Sequence, residues 1–356
     1  MDDAIRSLFL PAPGVAYLDS ATYGLPPEPT IRAMRAAMDA WQTGQADWIE
    51  DWDRPAEAAR DSFARLVGTR PDLVSLQPAA SVAVGLVAAG LGPGDEVVVP
   101  VDEFTSVLFP LLVARERGVV VREVDLDRLP ETIGPRTTFV ATSLVQMQTG
   151  RMVDLPAVLD RAKAVGARVL VDATQAIPFV GLGDRIQAID YLVAAAYKHL
   201  LCPRGVAFMA VGPDRLVELP PLVANWRTAD DPYGRYFGGP LGLAPDARRL
   251  DVSLAWIPWI GAVESLRLLE AWAPMGAFEE TLGLARQLAE RLAVPWYGAS
   301  LVCAPIDDPS SARAALVAAG IRASVRGTAI RCAPHVYTSQ EEIDRAVRAI
   351  APLVVP

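Results

Sequence analysis

Lysine is nearly absent from this chain. Of its 33 basic residues only Lys163 and Lys198 are lysines, and histidine is limited to His199 and His335. Cysteine is scarce too: Cys202, Cys303 and Cys332 lie far apart and are odd in number. That excludes a disulfide framework or a zinc knuckle and fits a reducing cytoplasm. Positive charge is not in surplus. The net charge of −9 argues against nucleic acid or an anionic membrane as a partner. No apolar run reaches the roughly 18 residues of a membrane span. The longest, residues 79–92, is interrupted by glycine and reads as a buried helix. The opening MDDAIRSLFLPAPG carries acids where a secretory leader carries positive charge, so a cytoplasmic location is expected. Neither a Gly-x-Gly-x-x-Gly turn nor a Gly-x-x-x-x-Gly-Lys loop occurs, which argues against nicotinamide and P-loop nucleotide binding.

Apolar residues are plentiful at 52% of 356, enough for one large domain and a smaller one. From about residue 60 to 215, short β-branched runs alternate with amphipathic stretches. The strand candidates include DEVVVPV, TTFVATSLV, RVLVDAT, YLVAAAY and GVAFMAVG. This alternation predicts an α/β fold with a mostly parallel sheet sandwiched by helices. Ligands in such sheets sit beyond the strand carboxyl ends. Residues 217–250 break the pattern with Pro, Gly, Trp and Tyr, and loops of that length are usually functional. We expect a large domain over 31–250 and a smaller α+β domain from 1–30 and 251–356, with helices near 276–293, 310–319 and 339–351.

Two short motifs carry the chemistry. In VLVDATQA the acid Asp172 ends a buried strand and faces the ligand crevice. No second acid or histidine lies near it, which argues against a metal. In YLVAAAYKHLLCP, Lys198 follows another apolar run, and burial of a charged lysine lowers its pKa. Lys163 instead sits on the wet face of a helix, in LPAVLDRAKAVG. Adjacent parallel strands would bring carboxylate and amine into one crevice. Such a pair suits pyridoxal 5'-phosphate: the lysine forms an imine, and the carboxylate keeps the ring nitrogen protonated.

With these motifs, YLDSATYGLPP at 17–27 and IRCAPHVYTSQEEIDRAV at 330–347, the chain resembles the class V aminotransferase family. That family includes cysteine desulfurases, C–S lyases and isopenicillin N epimerase-like enzymes. The resemblance covers nearly the whole chain and implies the fold-type I architecture, pyridoxal 5'-phosphate as cofactor, an amino-acid substrate and a homodimer. It also implies site roles. Lys198 holds the cofactor and shuttles the Cα proton, Asp172 pairs with the pyridinium, and Gln175 reaches the ring hydroxyl or imine region. Phe104 stacks on the ring, where many relatives place histidine. Ala79, Ala80 and Ser81 offer backbone N–H groups to the phosphate at a helix start. Tyr197 reaches the phosphate, Gln146 lies over the cofactor, and Ser253 reaches the phosphate across the dimer interface. Arg331 binds the substrate α-carboxylate through its guanidinium fork. His199 and His335 flank site residues but are expected to be structural.

The cofactor leaves the outcome open. No cysteine lies between Gly320 and Arg331, and that segment is too short for a mobile loop, so persulfide-forming desulfuration is not expected. β-Elimination at an S-substituted cysteine, as by a C–S lyase, leads. Transamination, oxidative deamination and epimerisation remain as alternatives, as does a cofactor-binding partner subunit without turnover. Trp226, Arg227, Tyr233, Arg235, Tyr236 and Phe237 form a loop suited either to cover a larger substrate or to make a dimer interface.

Overall fold

The computed structural model describes residues 3–234 and 236–355. Its strands, in chain order, are β1 (Ala16–Tyr17), β2 (Val74–Gln77), β3 (Glu96–Pro100), β4 (Val120–Val124), β5 (Phe139–Ser143), β6 (Arg168–Asp172), β7 (Tyr191–Ala195), β8 (Ala207–Val211), β9 (Val302–Pro305), β10 (Ile321–Arg322), β11 (Ser324–Arg326) and β12 (Ala329–Cys332). Seven of them form one sheet in the order β2-β8-β7-β6-β5-β3-β4. Every neighbouring pair is parallel except those made by β8, which runs against both β2 and β7. The predicted mostly parallel sheet is therefore present, with one reversed strand.

The sheet is apolar on both sides because helices cover both faces. Along β7, Leu192 and Ala194 point into one apolar cluster, whereas Tyr191 and Val193 point into the other. The first cluster packs helices Pro55–Val67, Leu155–Val165 and Trp256–Trp272; the second packs Ala80–Ala89 and Thr105–Ala114. Strands buried on both faces lose the apolar-polar alternation of a one-sided sheet, which is why they read as continuous runs.

A third cluster is separate. It joins β9, β12 and the helices Ala277–Leu292, Pro309–Ala318 and Gln340–Ile350 to Ala16 and Leu18. Its sheet, β11-β12-β9, is antiparallel. Trp259, Leu266 and Trp272 instead join the cluster on the large sheet, so packing with the small sheet begins near Ala285. The N-terminal segment ties the two units together: β1 pairs with β10, and Gly24 N–H donates to Tyr197 O at 3.0 Å. A Cβ on Gly24 would meet Lys198 O at 2.3 Å, so this approach requires glycine. No helix among the described residues is long and apolar enough to cross a membrane.

Candidate active site

Strands β6 and β7 are parallel neighbours, and Asp172 lies beside Val193 in their register. Asp172 therefore ends one strand while Lys198 follows the end of the next. Beyond these ends lies a cavity whose lining includes Lys198, Asp172, Gln175, Tyr197 and Phe104. Ala79, Ala80 and Ser81 form a second wall, where the helix Ala80–Ala89 starts with no side-chain cap. Its leading N–H groups make that wall suited to an anion.

Lys198 is buried, with only 4% of its surface exposed. Burial lowers its pKa from 10.5 to about 8, opposed by the Asp172 charge and assisted by Arg331. Its Nζ stands 5.2 Å from the centroid of the Phe104 ring. Burial raises the Asp172 carboxyl, opposed by Thr174 N–H, which donates to Oδ1 at 2.8 Å, and by Lys198. Thr174 also braces the two strand ends: its hydroxyl oxygen accepts Ala195 N–H at 2.9 Å.

The remaining predicted residues divide. Gln175 lines the cavity, but its amide is engaged: Nε2 donates to Ala21 O at 3.0 Å and Oε1 faces His199 Nε2 at 3.0 Å. Gln146 does not line the cavity. Its Nε2 donates to Glu103 Oε2 at 3.0 Å, while its neighbour Met147 faces the cavity. Ser253 is exposed and lies outside the cavity. Arg331 is buried and does not itself line the cavity, though it contacts the backbone of Met147, which does. Its Nη1 donates to Met147 O at 3.2 Å and its Nη2 to Thr22 Oγ1 at 2.8 Å. Its Nε–H has no protein partner, which leaves a buried donor for an incoming carboxylate.

The long loop lies elsewhere. Arg227 is buried against Asp53 and Glu57, and the Tyr233 hydroxyl donates to Asp53 Oδ2 at 2.9 Å. Trp226 and Tyr236 pack on Trp48. None of these described loop residues lines the cavity of this chain; Trp226 packs on Trp48 and Tyr233, whereas Tyr236 and Phe237 stay exposed. Arg235 falls outside the described residues.

Glu103 escaped the sequence reading. It is buried, and its carboxylate accepts N–H from Phe104 and Ser143 at 2.7 Å each, as well as the Ser143 hydroxyl and Gln146 Nε2. Burial pushes its pKa up, and these donors oppose the rise. The carboxylate thus ties Phe104 to the end of β5, the strand beside Asp172. Its signal was its place next to Phe104, but its other partners, Ser143 and Gln146, lie 40 and 43 positions away. Arg204, Ser106 and Ser143 also line the cavity and were not foreseen.

A buried amine of depressed pKa, a buried carboxylate, an aromatic face and an uncapped helix start match the parts of pyridoxal 5'-phosphate. They are its aldehyde, pyridine nitrogen, ring and phosphate, so the residues fit the group. This fold and site define an α/β enzyme that works through a bound cofactor. The chain belongs to the aminotransferase class-V family, whose model matches residues 16–250. It is 29% identical over 335 residues to the isopenicillin N epimerase of Streptomyces clavuligerus, covering 82% of this chain and 83% of that protein. Among solved structures, the cysteine desulfurase CsdA of Escherichia coli has a TM-score of 0.82 at 23% identity, covering 99% of each chain. The cystine C–S lyase C-DES, in complex with its product cysteine persulfide, has a TM-score of 0.84 at 20% identity. It covers 95% of this chain and 98% of that one, and a variant of C-DES carries glycine covalently linked to its PLP cofactor. At these identities the structures establish the fold.

Proposed function

We propose that this chain is a pyridoxal 5'-phosphate enzyme that removes the Cα proton of an S-substituted cysteine and expels the sulfur from Cβ. The observation that carries this reading is the buried Lys198 amine, with its pKa near 8, in one cavity with the Asp172 carboxylate. When bound, the cofactor supplies an electron sink conjugated to the substrate Cα. Lys198 anchors it between turnovers and, once released, takes the Cα proton; a base with a pKa near 8 is well matched to neutral pH. Asp172 holds the proton on the pyridine nitrogen. Phe104 covers the ring face, and Arg331 orients the substrate through its α-carboxylate. Lys198 then returns its proton to the departing sulfur.

Relatives of this chain are named cysteine desulfurases, and we rank a route through a protein persulfide below elimination because no cysteine of this chain is set up as an activated thiolate. Burial pushes Cys202 and Cys332 far above the ordinary thiol range and Cys303 up to about 11. Only Gly327 and Thr328 join β11 to β12, so no long loop precedes Arg331. Epimerisation at Cα is the second reading, favoured by the extent of the match to isopenicillin N epimerase. We propose a homodimer as well, because Ser253 is exposed on one chain, free to meet a partner's cofactor; light scattering of the holoprotein tests this.

A panel of S-substituted cysteines decides between the readings. Pyruvate with ammonia supports elimination. A keto acid that retains the side chain points to transamination, and inversion at Cα without a keto acid points to epimerisation. If no candidate amino acid alters the cofactor spectrum or yields product, the enzyme reading gives way to a non-catalytic binding subunit.

A further inference from the structure

The wall proposed for the phosphate is short of charge. Ala79, Ala80 and Ala195 contribute no side-chain donor, and the hydroxyls of Ser81 and Ser106 are neutral. A phosphate monoester carries a charge of about −1.5 to −2 near neutral pH. The helix start offers roughly half a positive charge against it. Among the described residues lining the cavity, the cations are Lys198 and Arg204. The amine of Lys198 is committed to the aldehyde end. Arg331 spends Nη1 and Nη2 on Met147 O and Thr22 Oγ1 and does not line the cavity.

Arg204 is exposed, yet it is not adrift. Its guanidinium carbon stands 5.1 Å from the centroid of the Tyr197 ring, and planar guanidinium groups stack well on aromatic faces. Tyr197 directly precedes Lys198. The stack therefore holds a delocalised cation beside the residue already expected to meet the phosphate. The tight turn after Lys198 brings the arginine back to the cavity: Leu201 N–H donates to Lys198 O at 3.1 Å, and Cys202 N–H to Ala196 O at 3.0 Å. No carboxylate competes for Arg204 among the ion pairs of the described residues.

We propose that Arg204, stacked on Tyr197, is the residue that neutralises the cofactor phosphate in this chain. The inference rests on pyridoxal 5'-phosphate being the occupant of the cavity. The phosphate end then owes its charge balance to a side chain six positions beyond the lysine.

The test compares pyridoxal 5'-phosphate with pyridoxal, which lacks the phosphate, by equilibrium titration of the apoprotein followed by cofactor absorbance. Arg204→Ala should weaken pyridoxal 5'-phosphate about 10- to 100-fold, the scale of one charge-assisted contact, and leave pyridoxal within twofold. Arg204→Lys should recover part of the loss. The wild-type preference for the phosphorylated form should decline as salt rises, and this decline should flatten in Arg204→Ala. Unchanged affinity for pyridoxal 5'-phosphate in Arg204→Ala overturns the proposal, as does equal weakening of both compounds, which marks a purely structural role. If the wild-type protein binds neither compound, the cofactor reading itself fails and takes this proposal with it.

Discussion

The Arg331 guanidinium donates to the hydroxyl oxygen of Thr22 at 2.8 Å, joining a strand of the small sheet to the N-terminal segment. The Thr22 hydroxyl in turn donates to Asp19 Oδ1 at 2.8 Å, and Ser324 Oγ donates to the same oxygen at 2.7 Å. Asp19 Oδ1 lies 3.8 Å from Arg331 Nη2. A buried carboxylate thus fixes a buried guanidinium through an intervening hydroxyl, and the Arg331 Nε–H is left without a protein partner.

Truncating this fork should therefore act on binding. Arg331→Ala should raise KM about 10- to 100-fold, the scale of one charge-assisted contact. Thr22→Val keeps the volume and removes the hydroxyl, so it should raise KM by a smaller factor with kcat nearly unchanged. Separate kcat and KM values check both. A large fall in kcat with constant KM for Arg331→Ala would contradict a carboxylate-binding role.

Lys198 makes a pH prediction. Its pKa of about 8 means the nucleophilic free amine is half formed there, not near 10.5. Uptake of pyridoxal 5'-phosphate by the apoprotein should accelerate about tenfold per pH unit below 8 and level off above it, as the protonated fraction of a single group dictates. Stopped-flow absorbance from pH 6 to 10 reads the profile. Lys198→Ala should abolish borohydride-stable labelling, whereas Lys163→Ala should leave it intact.

Asp172→Asn keeps the shape and the Thr174 contact but removes the charge. The expected result is a kcat reduced on the order of 100-fold, typical of losing one preorganised electrostatic contact, with KM changed little. Adding Thr174→Val leaves the Thr174 N–H contact to Asp172 in place and removes only the hydroxyl that accepts Ala195 N–H, so it should cost stability and little further activity. Steady-state kinetics of the single and double variants decide this.

The chemistry-bearing strands were legible for a physical reason. Burial on both faces turns VLVDATQA and YLVAAAYKH into unbroken apolar runs, so the polar residues closing them stand out. Lys198 stood out further because the chain avoids lysine. What stayed hidden depends on contacts between distant segments. Glu103 gains meaning only beside Ser143, and a shift of one residue decides whether Gln146 or Met147 faces the cavity. The aromatic loop announced that it needed apolar partners, but nothing local named Trp48 and Trp256 as the pair packed together beneath it. Arg204 resembled any other surface arginine until the turn after Lys198 placed it at the cavity.

The two histidines make a prediction about stability. Val336 N–H donates to His335 Nδ1 at 2.8 Å, so the ring proton resides on Nε2, which donates to His199 O at 2.9 Å. A second proton on Nδ1 would confront that N–H donor. Burial is the main cause lowering the His335 pKa from 6.5 to about 4, and burial likewise holds His199 well below 6.5. Between pH 6.5 and 4 the unfolded chain therefore binds more protons than the folded one, and stability must fall as pH falls. The His335 contribution is complete above about pH 6.5, and its loss by pH 4 amounts to on the order of 3 kcal/mol. Urea unfolding across this window, for the wild-type protein and for His335→Asn, isolates the effect from the carboxylates. The wild-type curve should fall more steeply with acid than the variant's, and parallel curves would mean that His335 titrates alike in both states.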